Sequence, residues 1–341
     1  KGYDFYNYNC FEYYNLWYIK QMNKSSFLNG LLNEKQKNAA DYLATWDNLN
    51  VFWKSLGKAW DFVAGFWSNE KELEQADKDS YIEKVDSYIR NHKKPKFKLH
   101  ASLYKRLTEL FDIECDKISS QKELDEYFLK LENEAISFQR EFSFKEDKMK
   151  PFYGNSFYEL RIYFLDVMVE QFKGLENEKQ EKILRDMVDK LHTLSAEELE
   201  NFKEKMNINE VTNESVRKIL LGSGIYSLFA GTVSIVGFPA YLFLTSFIGG
   251  ISSFIGITLP FGIYTGATST MAFLTAWFVP ILLVGGIFFE RKYTNKLRKI
   301  FAVGLMVSIS FQSYKDTSLE DSNDFIKTFN QLSKDDSFAD E

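Results

Sequence analysis

The hydrophobic and polar positions divide the chain into an amphipathic part and a charge-free part. Over residues 98–206, apolar side chains recur every three or four positions, which predicts amphipathic helices. Over residues 219–289, a stretch of 71 positions, there is no Asp, Glu, Lys, Arg or His. One helical crossing of a bilayer needs about 20 apolar residues. We therefore predict an all-α protein: an amphipathic helical bundle followed by a hydrophobic transmembrane helical hairpin or a three-helix membrane segment.

The breaks between these patterns predict four regions. Residues 1–95 form an aromatic-rich amphipathic helical region, and residues 96–216 a helical domain. Residues 217–300 form a transmembrane or membrane-inserting segment, and residues 301–341 a short apolar helix with an acidic tail. The first boundary rests on Pro95, which lies in a run of basic residues and disfavours helix before it.

Local signals predict several helix ends. Ser195 and Glu198 form a capping box, which predicts a helix from Ala196 to about Met206. A short helix from Asn213 should lead into the charge-free segment. The apolar run at 300–311 is too short to span a bilayer, so it is interpreted as a re-entrant, interfacial or protein-packed helix.

An aromatic seam is predicted near the N-terminus, because tryptophan recurs every seven residues: Trp46, Trp53, Trp60 and Trp67. Interleaved apolar residues complete a helical stripe. The stripe fits a core-facing amphipathic helix. It also fits an interfacial membrane helix, since tryptophan prefers the headgroup zone, although the polar face is not rich in Lys or Arg.

The charge-free segment can be divided in more than one way. One division gives helices at about 219–237, 239–259 and 271–289. Another makes the middle part re-entrant or broken, because glycine and proline interrupt it. Basic residues flank both ends of the segment, Arg217 and Lys218 before it and Arg291 and Lys292 after it. Because cytoplasmic flanks gather Lys and Arg, both ends and most of the chain should be cytoplasmic at the inner membrane, with an even number of crossings.

Small and hydroxyl-bearing residues in this segment are candidates for membrane-helix packing or for lining a pore: Gly249, Gly250, Ser252, Gly262, Thr265 and Gly266. Small residues let helices approach closely. They serve either packing within one chain or oligomerisation around a pore. The absence of charge argues against a proton relay or a charged ion filter within the bilayer.

Signals of catalysis and of nucleic-acid binding are missing. The histidines, His92, His100 and His192, lack metal-binding spacing and are expected at the surface. We find no phosphate-binding loop or nucleophile elbow, so we predict no enzyme activity, no cofactor and no metal. There is no basic stripe typical of a nucleic-acid binder. Two cysteines, Cys10 and Cys115, are too few for a disulfide framework and suit a reducing compartment.

The C-terminal tail is acidic and carries a short apolar stripe: Phe325, Ile326, Phe329 and Leu332. This stripe suits docking of an amphipathic helix into a partner's groove. The alternative interpretation is a disordered acidic tail.

Residues 154–299 are similar in layout to the YaaW-like family of uncharacterised bacterial proteins. The matching features are Gly154-Asn-Ser-Phe-Tyr, the run Glu178–Val188, Leu194-Ser-Ala-Glu-Glu-Leu199 and the Gly/Ala-rich apolar block that follows. The family has no assigned activity, so the resemblance implies only a fold. More loosely, the order of amphipathic helices and apolar block resembles colicin-type pore-forming domains, in which amphipathic helices cover an apolar hairpin.

Two functions are consistent with these patterns. The first is a membrane-active effector, a toxin or cell-suicide defence protein that permeabilises the bacterial inner membrane. The second is a constitutive membrane-anchored scaffold that binds partners through its cytoplasmic helices and acidic tail. The expected partners are the lipid bilayer and a second copy of the chain or another protein.

Overall fold

The part of the chain that the structure describes is built of α-helices. The computed structural model describes residues 25–47, 87–88, 90, 96–115, 117–145, 150–222, 238–254, 294–310 and 317–334. Of these residues 80% are helical and none lies in a strand, which confirms the all-α class. Within these ranges, no helix combines the length and the apolar character needed to cross a membrane.

The described ranges contain eleven helices, in chain order α1 (Ser26–Asn33), α2 (Gln36–Asp47), α3 (Lys98–Leu110), α4 (Gln121–Lys145), α5 (Phe157–Gly174), α6 (Asn177–Leu191), α7 (Ala196–Met206), α8 (Asn213–Leu221), α9 (Phe238–Phe254), α10 (Thr294–Ser310) and α11 (Leu319–Leu332). They pack into two groups that meet where α4 contacts α5. We call α1–α4, α10 and α11 the terminal bundle, and α5–α9 the central bundle.

An aromatic core holds the terminal bundle together. The rings of Tyr104 in α3 and Phe128 in α4 are stacked, with centroids 4.1 Å apart. Phe325 of α11 meets both rings edge-on, at 6.0 and 5.8 Å. All three side chains are fully buried. Helices from the two ends of the chain therefore share one core, in which aromatic pairs add to the gain from burying apolar area.

Helix α10 contains the apolar run predicted at 300–311, and it is packed against protein. Residues 301–310 are buried, against α1, α3 and α4. The approach to α1 is close at Gly30, where an added Cβ would lie 2.0 Å from the carbonyl oxygen of Ile309. Of the three interpretations of this run, the structure corresponds to the protein-packed one.

Helix α11 contains the stripe that was expected to dock into a partner. Phe325, Phe329 and Leu332 are buried in the terminal bundle, and Ile326 is partly buried against it. The Asn330 side chain accepts a hydrogen bond from the backbone N–H of residue 118 (2.8 Å) and donates one to the carbonyl of the same residue (2.6 Å). The groove that receives this stripe therefore belongs to the same chain, which corrects the interpretation of a free docking helix.

Capping residues set the helix starts of the central bundle. At α7, the Ser195 hydroxyl accepts from the Glu198 N–H while the Glu198 side chain accepts from the Ser195 N–H, which confirms the predicted capping box and start at Ala196. The helix ends at Met206, as predicted, and Asn207 follows in the left-handed conformation with φ 52°. The predicted start of α8 at Asn213 is also confirmed.

Candidate functional site: the cover of the apolar helix

Helix α9 lies within the charge-free segment, and other helices of the chain cover it. It packs chiefly against α6, with further contacts to α5 and α7. One side of α9 is fully buried in these contacts, at Ala240, Phe243, Leu244, Phe247 and Ile251. The apolar residues that predicted a bilayer crossing thus face an apolar protein surface here, and either surrounding removes them from water.

Helix α6 supplies most of the cover because its own sequence is amphipathic. Its apolar residues follow the three-and-four spacing of one helical face and are all buried: Ile183, Leu184, Met187 and Leu191. The other face is exposed and carries charged residues, among them Glu178, Arg185, Asp186, Asp189 and Lys190. The covering helix therefore presents an apolar face to α9 and a charged face to water.

Two aromatic contacts add to the cover from α5 and α7. Phe247 of α9 meets Phe172 of α5 edge-on, with ring centroids 5.7 Å apart. Phe243 meets Phe202 of α7 at 5.8 Å. All four rings are fully buried. Each contacting helix thus places at least one large apolar side chain on α9.

Gly250 marks a close approach between α9 and α6. A Cβ added at Gly250 would lie 2.8 Å from Cγ2 and 3.4 Å from Cβ of Ile183. Only a residue without a side chain lets these two helices come so near. Gly250 was a candidate for membrane-helix packing, and the helix it contacts is the amphipathic α6.

Arg217, one of the predicted positive flanks, fastens α8 to α6. Its guanidinium donates to Gln180 Oε1 at 2.7 Å and to Glu181 Oε1 at 2.8 Å. Asn213 donates to the other Glu181 oxygen at 3.0 Å. These hydrogen bonds hold the pKa of Glu181 below its usual value. Lys218, the neighbouring flank, is exposed, so the two basic residues have different surroundings.

The other candidate residues of the segment are placed only in part. Gly249 and Ser252 lie in α9. Gly262, Thr265 and Gly266, and the flanks Arg291 and Lys292, lie outside the described residues. These candidates therefore remain predictions.

One residue of the aromatic seam is described. Trp46 lies in α2, partly buried, with its ring 6.0 Å from that of Phe301 in α10. This contact is the one expected of a core-facing helix. Trp53, Trp60 and Trp67 lie outside the described residues, so the continuation of the seam stays a prediction.

Two buried polar groups in the terminal bundle escaped the sequence analysis. The Glu34 carboxylate accepts from Asn38 and, at 3.0 Å, from the Tyr42 hydroxyl. His100 was expected at the surface but is 2% exposed, and its Nε2 donates to the Glu34 carbonyl at 3.0 Å. Burial lowers the pKa of His100 to about 4 and raises that of Glu34. The four-residue spacing of residues 34, 38 and 42 was a signal that could have revealed part of this cluster, although residue 34 precedes α2.

Glu132 is the second buried acid. Glu132 belongs to α4, and its side chain reaches the N-terminus of α1. There its carboxylate accepts hydrogen bonds from the Phe27 N–H and the Ser25 hydroxyl, both at 2.9 Å. A negative charge is favoured at a helix N-terminus. Burial nevertheless dominates and raises the pKa of Glu132 to about 7.

These buried groups form hydrogen bonds that connect neighbouring elements of the terminal bundle. Each of the two acids accepts hydrogen bonds from its own set of neighbouring donors. The described residues contain no group of three or more His, Cys, Asp or Glu arranged for a metal ion. The feature that relates most directly to function is therefore the covered helix α9.

Comparison with known proteins returned no relative. No protein-family model matches the chain. Neither curated proteins nor solved structures gave a match.

Proposed function

We propose that the protein is a membrane-active helical effector that perturbs the bacterial inner membrane, in the manner of a toxin or a cell-suicide defence protein. In this proposal the amphipathic helices of the central bundle cover α9 until the segment inserts. The observation that carries the proposal is the burial of α9 beneath α6, with the charged face of α6 outward.

Storage explains this arrangement better than permanent anchoring does. A helix that always lies in lipid gains nothing from a charged amphipathic cover, because exposed charged side chains are costly within the hydrocarbon. A helix that must first stay out of the bilayer needs such a cover, since about 25 cal/mol is lost for each Å² of apolar surface exposed to water. The scaffold alternative assigned partner binding to the cytoplasmic helices and the acidic tail, and the apolar stripe of that tail is buried in the terminal bundle.

Insertion in this proposal begins when α9 separates from α5, α6 and α7. The separation breaks the contact at Gly250 and opens the aromatic pairs with Phe172 and Phe202. The lipid bilayer then replaces the apolar face of α6 as the surroundings of α9. A homo-oligomer on the cytoplasmic side of the inner membrane would supply the several segments that a pore requires.

Dye release from lipid vesicles tests the proposal. Purified full-length protein is added to vesicles of phosphatidylethanolamine and phosphatidylglycerol that contain a self-quenched dye. We expect release that increases more steeply than linearly with protein concentration, as expected if several copies act together. Absence of release across lipid compositions and protein concentrations would refute the effector function.

A further inference from the structure

Two aromatic side chains lie exposed side by side near the C-terminal end of α4. Phe144 is 52% exposed and Tyr153 is 71% exposed. Their rings meet edge-on with centroids 5.1 Å apart. Single exposed apolar residues are common on protein surfaces, but a contiguous exposed aromatic pair is a candidate interaction surface. We call Phe144 and Tyr153 the aromatic pair.

The backbone around Tyr153 is fixed by hydrogen bonds. The Phe152 N–H donates to the Ser143 hydroxyl at 2.9 Å, and the Tyr163 hydroxyl donates to the carbonyl of residue 150 at 2.7 Å. Arg140 donates to the Gly154 carbonyl at 2.7 Å. Phe152 itself is buried. The segment therefore holds Tyr153 in its exposed position, and little conformational entropy remains to be lost when the pair binds.

The C-terminal end of α4, which carries Phe144, also contacts the start of α10. Phe142, two residues before Phe144 on α4, has the Lys296 ammonium 4.8 Å from its ring centroid. Lys296 lies in the first turn of α10, and α10 begins five residues after the last residue of the charge-free segment, Phe289. The first turn of α10 therefore lies against the end of α4.

We propose that the aromatic pair is the surface through which the protein first contacts the lipid headgroup region. Tyrosine is enriched at the membrane interface, where its ring lies in the apolar zone and its hydroxyl stays hydrated. The charge of Lys150, three residues before Tyr153, is already balanced by an ion pair with Asp166 at 3.1 Å, so the two rings rather than cations make this contact.

A lipid surface fits this pair better than a protein partner does. A stable protein–protein interface buries about 800 Å² on each side, and two side chains supply far less than that. A bilayer needs no such matched surface, since each apolar group partitions into it on its own. The inference rests on the proposed function, because it assigns the first step of the same membrane reaction.

Vesicle flotation tests this inference. The double substitution Phe144→Gln and Tyr153→Gln removes the pair, and Leu319→Gln is the control, since Leu319 is 67% exposed on α11. With vesicles of phosphatidylcholine and phosphatidylglycerol, we expect the double variant to bind about tenfold more weakly and the control to bind like the wild type. Tyr153→Gln alone should give a smaller loss of vesicle binding. This single variant tests the docking surface if the double variant does not fold.

Each outcome of the flotation experiment has a definite meaning. Equal binding of wild type and pair variants, or no binding by the wild type, would overturn the docking surface. A concentration-dependent dimer that the pair variants abolish in size-exclusion chromatography would assign the surface to a second copy and would also overturn it. Pair-dependent flotation without dye release would refute the effector function and leave the docking surface intact. Dye release that is equal in the wild type and the pair variants would refute the docking surface and leave the effector function intact.

Discussion

Gly250 is a residue at which the contact between α9 and α6 should be sensitive to added volume. Gly250→Ala would place a methyl group 2.8 Å from Cγ2 of Ile183, which is fully buried. We expect the free energy of unfolding to fall by about 1–3 kcal/mol, the usual cost of overpacking. Urea denaturation measures the change.

Two further variants test the cause of that loss. Gly174→Ala is the control, because a Cβ at that position meets no atom within 4 Å, and its stability should stay equal or rise slightly. Ile183→Ala creates space beside residue 250, so the double variant with Gly250→Ala should be more stable than the sum of the single effects predicts. Additive effects would show that the two residues are not in contact.

Glu132 makes the stability of the fold depend on pH. Burial raises its pKa to about 7 in the folded protein, against an ordinary value of 4.5. The folded state therefore keeps a proton that the unfolded state releases, so this group's contribution to stability is full below about pH 4.5 and is lost as the pH rises through about 7.

Glu132→Gln should remove this contribution to the pH dependence. We expect its free energy of unfolding to fall less steeply between pH 5 and 7.5 than that of the wild type. Relative to the wild type, the variant should therefore be more stable at pH 7.5 than at pH 5. Chemical denaturation at several pH values measures the slope. Parallel curves for the two proteins would show that Glu132 does not titrate in this range.

At the scale of helices, the attachment of α8 to α6 distinguishes two roles for a basic flank. Arg217 bonds to Gln180 and Glu181, whereas the neighbouring Lys218 is exposed. A flank that serves only to keep its end of the segment cytoplasmic should act through charge alone. A flank that also fastens the cover should depend on the hydrogen bonds of the arginine.

The matched substitutions Arg217→Gln and Lys218→Gln separate these roles, because each removes one positive charge. We expect backbone amides of α8 to exchange with deuterium several-fold faster in Arg217→Gln, and at the wild-type rate in Lys218→Gln, because only the first change breaks contacts with α6. Hydrogen exchange measured by mass spectrometry reports the difference. Equal exchange rates in the two variants would show that Arg217 acts through its charge alone.

The bounds of the helices were easier to predict from the sequence than the contacts that each helix makes with the rest of the chain. The capping box at Ser195 and Glu198 gave the start of α7 because all its hydrogen bonds lie within four residues. The buried contacts of Glu132 could not be foreseen, since its donors lie more than 100 residues earlier in the chain. Hydropathy predicted that α9 avoids water but could not distinguish lipid from an apolar helix face, because both give the same transfer free energy to first order.

For the whole molecule, the central claim is that α9 must leave α6 before the membrane is breached. A disulfide between these helices can hold them together, because the Cβ positions of residues 250 and 183 lie 3.4 Å apart, near the roughly 3.8 Å found in disulfides. Replacing Ile183 by cysteine also removes both Cγ atoms that a Cβ at Gly250 would otherwise meet, and the one γ atom of cysteine is the sulfur that forms the bond.

The decisive measurement is dye release by the variant Ile183→Cys/Gly250→Cys, made in a background in which Cys10 and Cys115 are serine. The background protein without the two new cysteines is treated with the same oxidant and reductant as the control. We predict that the oxidised variant releases no dye and that dithiothreitol restores release to the level of the control. Equal release from the oxidised and the reduced forms of the double-cysteine variant would contradict the claim that α9 leaves its cover.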